Sequence, residues 1–371
     1  MSTRYRAYIT VSPGLEDVLN AELEELLTSQ GKWRVTTGGL EGWLDRPELW
    51  KVAHHSRTAE GVRIRIGRFE ARTFEQLVDG FKKIPLRAYI SADADVKVQV
   101  ASKKSKLIHS GAIAERVEKV IARRVTKDAK ELEGKPRPSF TLMVRIFRDK
   151  VTISVAAGER LHRRGYRQHV GAAPLRETLA AACLRLAGYD GTSPLWDPFC
   201  GSGTFLAEAL ETSRSTSGLG EGAFAFESWP THDADAYEAW KKDQPSQSSC
   251  AALAWGSDTS AKELAGAKNN LERAVGDSGW TLMEGAFKGH VSQIPKGALI
   301  VTNPPYGKRV DTDDAWIGEL SAVLKKRRDL KGAFVLTPDP NFGGRSGLPF
   351  TVHATFSNGG LKVRLWGLEG S

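Results

Sequence analysis

A chain of 371 residues with 40% hydrophobic and 26% charged side chains has apolar material for two or three compact domains, which excludes the disordered and fibrous classes. No apolar run approaches the roughly 20 residues that cross a bilayer, and three widely separated cysteines supply neither a disulfide framework nor a paired-thiolate metal site, so secretion and membrane insertion are not expected and a reducing cytoplasm is. The net charge of +9 is unevenly spread: residues 1–170 hold 33 Lys and Arg against 21 Asp and Glu, whereas residues 171–371 hold 20 against 23. A polyanion partner for the first part follows, because each neutralised phosphate releases counterions; a merely soluble basic surface is the alternative.

In chain order, Tyr5, Ala7, Ile9 and Val11 alternate as in a half-buried strand, and Leu15, Val18, Leu19, Leu23, Leu26 and Leu27 then recur at helical spacing. After Gly38-Gly39 and a second strand-like stretch, Val62, Ile64 and Ile66 alternate with Arg63, Arg65 and Arg68, predicting a strand with one apolar and one basic face. Val96, Val98 and Val100 repeat the alternation and run into Lys103-Lys104-Ser105-Lys106. The helix that follows carries Ile113, Val117, Val120 and Ile121 on one stripe, with Arg116, Lys119, Arg123 and Arg124 around it. Helix N-termini present unpaired backbone donors to anions, so Lys103, Lys104 and Lys106 are candidates for phosphate contact; a solvated lysine run is the alternative. Strands at 141–147 and 151–156 flank a tight Arg148-Asp149-Lys150 turn. Residues 161–167 read as a basic connector in which Arg163, Arg164 and Arg167 would pair with an RNA backbone and Tyr166 would stack on a base, an exposed interdomain linker being the alternative. From Pro174 onward helical and strand patterns alternate, the mark of a parallel sheet with crossover helices.

The chemistry-bearing residues fall at predicted strand ends in that second part. Residues 194–205 read strand, glycine turn, helix, with Gly201 and Gly203 letting a ligand approach the backbone at the carboxyl end of the strand. The spacing departs from the dinucleotide GxGxxG pattern, and Asp-Pro-Phe-Cys-Gly-Ser-Gly at 197–203 resembles the S-adenosylmethionine loop of Rossmann-like methyltransferases. On that resemblance Asp197 compensates the cofactor's amino group, the glycines line its methionine portion, and Phe199 and Thr204 belong to the same cofactor loop; Cys200 reads as a small packing residue. A second apolar strand, 298–302, ends in Asn303-Pro304-Pro305-Tyr306. An exocyclic base amine is a poor nucleophile because its lone pair is delocalised into the ring, so acceptors must be aimed at its protons. The Asn303 side-chain oxygen and the Pro304 carbonyl supply two, Pro304 and Pro305 stiffen the turn without adding an N–H, and Tyr306 is placed to stack on the base. With a sulfonium methyl held in line, orientation supplies much of the rate and neither a metal nor a covalent nucleophile is needed; a plain strand-to-loop turn with a buried Tyr is the alternative. Between the two motifs, 253–258 predicts a strand ending in Asp258, an acceptor for ribose hydroxyls or else a helix N-cap. After a further strand, Ala286 stands where such enzymes often place an acid for the adenine amine, leaving the backbone there and Phe287 as substitutes.

Together these motifs resemble the bacterial 23S rRNA guanine-N2 methyltransferases over almost the whole chain, with further likeness at 161–167, 173–181, Phe226-Glu227-Ser228-Trp229-Pro230 with His232-Asp233, and Asn358-Gly359-Gly360-Leu361. The resemblance implies an α/β protein: an N-terminal ferredoxin-like domain at 1–55, an α+β THUMP RNA-binding domain at 56–158, a basic linker at 159–172 and a Rossmann-like class I methyltransferase domain at 173–371. It implies that Pro174 and Thr178 line the cofactor, that Asn303 to Tyr306 hold a guanine flipped out of its helix, and that the N-terminal domains grip RNA. The Phe226 to Asp233 block inclines the expected substrate to rRNA, with tRNA the alternative, and a single activity is expected because the second catalytic module of some members has no counterpart here. A DNA adenine-N6 methyltransferase needs the same Asn-Pro-Pro-Tyr chemistry, but the basic N-terminal half argues against it. A non-catalytic THUMP assembly factor would suit Ala286, but Asn303 and Asp197 are intact.

Overall fold

The computed structural model describes residues 4–27, 31–125, 139–169, 175–213, 224–244, 253–305 and 315–370. The N-terminal half contributes β1 (Tyr5–Thr10), β2 (Arg34–Thr36), β3 (Gly39–Leu44), β4 (Gly61–Glu70), β5 (Asp95–Lys103), β6 (Ser139–Phe147) and β7 (Lys150–Glu159). They form one mixed sheet in the order β2-β3-β1-β4-β7-β6-β5, parallel only between β5 and β6. Period-two patterning decides its faces: Ala7, Ile9, Val62, Ile64, Leu142, Val144, Ile153 and Val155 are buried under α1 (Glu16–Leu26), α2 (Arg46–His55), α3 (Phe74–Lys82) and α4 (Ser110–Arg124). β1 pairs with β4 from Ala7 opposite Ile64 to Thr10 opposite Gly61, so the sheet crosses residue 56 without a break.

Two local features shape this sheet. Arg148 and Asp149 both take positive φ, the two-residue turn whose twist matches a hairpin. The register of β4 shifts between Arg65 and Gly67, so Ile66 is an extra residue: Arg65 lies opposite Ser154, and Arg68 lies opposite Thr152. The bulge thereby returns both arginines to the face away from the helices.

The C-terminal half contributes β8 (Leu195–Asp197), β9 (Ala254–Asp258), β10 (Trp280–Glu284), β11 (Leu299–Thr302), β12 (Gly332–Thr337), β13 (Thr351–Asn358) and β14 (Leu361–Glu369). Their order is β10-β9-β8-β11-β12-β14-β13, with the first five parallel and β14 antiparallel to both neighbours. β11 and β12 are buried along their whole length, as strands covered on both faces must be. Helices α5 (Glu177–Leu186), α6 (Thr204–Ser213), α7 (Ala234–Lys242), α8 (Ala261–Val275), α9 (Ala315–Lys326) and α10 (Phe342–Ser346) complete it. The chain passes from β8 outward to β9 and β10, then returns to β11 on the other side. Strand order therefore reverses between β8 and β11, where open α/β sheets form their ligand crevice.

The two halves meet through a buried charge group. Arg57 donates from Nη2 to Glu208 at 2.7 Å and to Glu211 at 2.5 Å, and Arg164 donates to the Arg57 carbonyl at 2.6 Å with its Nε 3.4 Å from Glu208. Tyr166 is buried, and its hydroxyl donates to Glu208 at 3.2 Å. Burial pushes the Glu208 carboxyl up, but the two guanidiniums prevail and hold it below the usual range. The reading of residues 161–167 as an RNA-contacting connector is corrected here for Arg164 and Tyr166, which face inward; Arg164 retains only 1% of its side chain exposed. Beside this group, Trp229 sits between Tyr5 and Tyr89 at centroid distances of 6.0 and 5.1 Å, and Tyr237 packs on Trp50 at 5.2 Å. The Phe226 to Asp233 block is thus a seam between the halves, with Arg46 paired to Asp233 at 2.9 Å, and packing accounts for it without reference to the kind of RNA.

Candidate active site

β8 ends at Asp197, buried at the point where strand order reverses. Thr302, the last residue of β11, donates from its hydroxyl to Asp197 Oδ1 at 2.6 Å, and the Phe199 N–H donates to the same oxygen at 3.1 Å. Burial is the larger influence and pushes the Asp197 carboxyl up to about 7; the two hydrogen bonds oppose it and nearby Asp258 adds to it. With no cation among the described residues acting on it, this buried carboxyl is poised to accept one from a ligand.

The glycine loop that follows is shaped by positive φ at Gly201 and Gly203. A Cβ at Gly203 would lie 3.2 Å from the Ala267 Cβ, so a side chain there would strain both the backbone and the approach of α8. Asp258, at the end of β9, accepts from the Gly201 N–H at 3.1 Å and from the Ser260 N–H at 2.9 Å. The cap of α8 is Ser260, whose hydroxyl accepts from Glu263 N, so the N-cap alternative for Asp258 gives way to a role in holding the loop. Cys200 is buried, its Sγ 2.9 Å from where a Gly256 Cβ would stand, and is the packing residue expected.

Two side chains brace the loop from outside. Thr204 opens α6 and accepts from Arg167 Nη2 at 2.7 Å; the same nitrogen donates to the Leu175 carbonyl at 2.6 Å, and Arg167 Nε lies 3.3 Å from Glu177. Arg167, expected on RNA, is built into the wall of the crevice instead. Asn270, fully buried on α8, accepts from the Gln168 and His169 N–H groups at 2.9 and 3.1 Å and donates to the Ser202 carbonyl at 3.0 Å. Sequence reading missed it; its one signal is an amide on the same buried helix face as Ala267 and Leu271.

The buried side-chain atoms without a hydrogen-bond partner among the described residues include Asn303 Oδ1 and Thr178 Oγ1. Natural interiors seldom leave such atoms unpaired, because each forfeits its hydration. Asn303 follows directly on Thr302, which touches Asp197, and β11 lies beside β8 with Ile300 opposite Trp196. The two motifs, about 100 residues apart in sequence, are therefore adjacent in space. Pro304 is buried and Pro305 half-buried; Tyr306 and Pro174 lie outside the described residues. Phe199 is half-buried, 5.1 Å from Phe287 and 5.6 Å from Trp316 between ring centroids. Phe287 is itself buried against Phe199 and Trp196, so its ring is a packing element and not an open surface for adenine. Ala286 is exposed just beyond the Gly285 N–H bond to the Asp258 carbonyl, at 2.9 Å, with only a methyl to offer. Lys103, Lys104, Lys106 and Arg163 are exposed. Among the described residues there is no cluster suited to a metal ion and no helix long and apolar enough to cross a membrane.

Comparison with known proteins agrees with this geometry. Residues 164–329 match the family model described as RMKL-like, methyltransferase domain, and residues 71–156 match the THUMP domain. A protein of Synechocystis sp. strain PCC 6803, named "Putative RNA methyltransferase slr0064", is 30% identical over 372 residues, covering 96% of this chain and 95% of that one. "Ribosomal RNA large subunit methyltransferase K/L" of Marinomonas sp. strain MWYL1 is 32% identical over 351 residues, which is 90% of this chain but 47% of the relative, so the chain spans about half of that protein. Among solved structures, SMU.472, "a putative methyltransferase complexed with SAH", superposes with a TM-score of 0.87 at 25% identity, covering 100% of this chain and 99% of that one.

Proposed function

The chain belongs to the THUMP-bearing, RMKL-like family of S-adenosylmethionine-dependent RNA methyltransferases, and from that premise we propose that it methylates the exocyclic N2 amine of a guanine in 23S rRNA, in the cytoplasm. The observation that carries this reading is the Asn303 Oδ1 just beyond the end of β11, buried and without a partner among the described residues.

S-adenosylmethionine supplies an electrophilic methyl group on a sulfonium. Gly201 and Gly203 let the backbone close on its methionine portion, and Asp197 gives up its proton to compensate the ammonium. Asp258 retains lone pairs for ribose hydroxyls beyond its bonds to Gly201 and Ser260, and the Thr178 hydroxyl, buried without a partner among the described residues, is a further candidate for the cofactor, as Pro174 is by family resemblance. Asn303 Oδ1 and the Pro304 carbonyl accept hydrogen bonds from the two amine N–H groups. They stabilise positive charge as it builds on the attacking nitrogen and orient its lone pair, while Tyr306 stacks on the flipped base. The proton then leaves to solvent. Backbone near Ala286 would hold the adenine, since Ala286 stands where such enzymes often place an acid; the nearest carboxylate in sequence is the exposed Glu284 that ends β10.

The test is transfer of labelled methyl from S-adenosylmethionine to 23S rRNA, to tRNA and to DNA, followed by nucleoside mass mapping. Label in N2-methylguanosine of 23S rRNA is expected. Label in tRNA alone would move the substrate, and label in DNA alone would defeat the RNA reading.

A further inference from the structure

The face of the first sheet turned away from α1–α4 carries chemistry that the methylation site does not use. Residues opposite one another in register share a face, so Arg6 (opposite Trp43), Tyr8 (opposite Glu41), Arg145 (opposite Thr152) and Phe147 (opposite Lys150) all point to this side. The bulge at Ile66 adds both Arg65 and Arg68 to them. Between these strands lies a cleft of about 250 Å³ lined by Arg6, Arg65, Arg68, Arg145, Lys150 and Glu41 among others. Glu41 is the one acid in its lining and is already shared by Arg6 at 2.6 Å, Arg65 at 3.4 Å and Arg34. Arg68, Arg145 and Lys150 are exposed and have no carboxylate within ion-pair distance among the described residues. Aromatic rings stand among the cations: Trp43 is 52% exposed and Phe147 37%, with the Arg145 and Arg148 guanidiniums 5.8 and 5.4 Å from the Phe147 centroid.

We propose that this sheet face is a binding site for single-stranded RNA, with phosphates in the Arg6/Arg65/Arg68/Arg145/Lys150 cleft and bases stacked on Phe147 and Trp43. The inference deepens the proposed function and rests on its RNA substrate. Cations on β1, β4, β7 and β6 occupy four consecutive strands, a row of roughly 14 Å at strand spacing. That shape suits a run of phosphodiesters better than one isolated anion. A broad open sheet does not enter the deep, narrow major groove of an RNA duplex, whereas an unpaired segment can lay its phosphates on the cations and its bases on the rings. Lys103, opposite Phe147 on β5, continues the row toward Lys104 and Lys106, whose loop is tied to the β6–β7 turn by the Lys106 N–H donating to Asp149 at 2.7 Å.

The experiment is fluorescence anisotropy of the full chain, saturated with S-adenosylhomocysteine, on a labelled single strand and on a duplex of equal length. The R68E/R145E/K150E variant should bind the single strand at least tenfold more weakly at 0.1 M salt. The slope of log affinity against log salt should shrink by about 2, at ~0.7 per lost phosphate contact on single strands. Phe147→Ala should weaken binding about fivefold or more with the slope unchanged, as a lost stack and not a lost charge. Arg68→Ala, at an exposed position, keeps the test open if the triple variant does not fold. Wild-type affinity and slope in the charge variants, or tighter binding of the wild type to the duplex, would overturn the inference. A chain that takes up S-adenosylhomocysteine yet ignores both RNAs would instead overturn the proposed substrate.

Discussion

The two seven-stranded sheets deploy their polar residues in opposite ways. In the first, polar groups spread over one face of most strands, and the helices cover only the other. In the second, the central strands β8, β9 and β11 begin apolar, and the polar groups concentrate at their ends and just beyond, at Asp197, Ser257, Asp258, Thr302 and Asn303. A surface that shares its work among many side chains loses little with any one of them. A crevice that aims a few atoms at one point loses nearly everything.

The largest expected effect tests that contrast directly. Asn303→Ala should lower methyl transfer about 10³-fold, the scale of losing a preorganised group at a reacting centre, while leaving RNA affinity unchanged; equal losses in both would mean that the two sheets do not divide binding from chemistry. Next comes the junction. Arg57→Ala leaves Glu208 buried with its nearest counter-charge gone and should cost about 3 kcal/mol in denaturant unfolding. A loss under about 1 kcal/mol would show that the halves part easily, sharpening their independence beyond what the packing suggests.

A smaller effect concerns pH. The Asp197 carboxyl, raised to about 7 by burial, keeps its proton in the ligand-free protein at mildly acid pH. Its contribution to stability is therefore full below the ordinary carboxyl range and is lost as pH rises through about 7. Ligand binding runs the other way, since the ammonium needs the carboxylate. Affinity for S-adenosylhomocysteine should rise about five- to tenfold from about pH 6 to 7.5, with proton release visible as a buffer-dependent heat in calorimetry. A flat profile would remove Asp197 from the ammonium. The smallest effect belongs to the open face: Arg68→Ala should weaken single-strand binding only about two- to threefold, one contact among many.

Much of the second sheet was legible in sequence because its signals are contiguous. Residues 194–205 and 298–303 each write strand, turn and functional group in one short run, and the crevice assembles by placing those runs side by side. What escaped was whatever depended on partners far along the chain. Arg164 and Arg167 look like surface charge until Glu208 and Glu177 are seen beside them. Asn270 is one polar letter in a helix until the Ser202 carbonyl reaches it. Along β4 the alternation of arginines was visible, but the extra residue that turns Arg68 to the same side as Arg65 is a matter of register with β7 and has no local signature. The Phe226 to Trp229 run was noticed as familial; its use as a seam depends on Tyr5 and Tyr89, more than 130 residues earlier.

The pairing of β1 with β4 across residue 56 bears on how this architecture can be inherited or cut. Severing the chain there would strip β4 of four register partners and bare a strand edge rich in Val and Ile, an invitation to intermolecular pairing and precipitation. The segment to either side of that point should therefore travel through gene fusion and fission as one indivisible cassette, and a fragment library screened for solubility should yield breakpoints after β7 and none between α2 and β4.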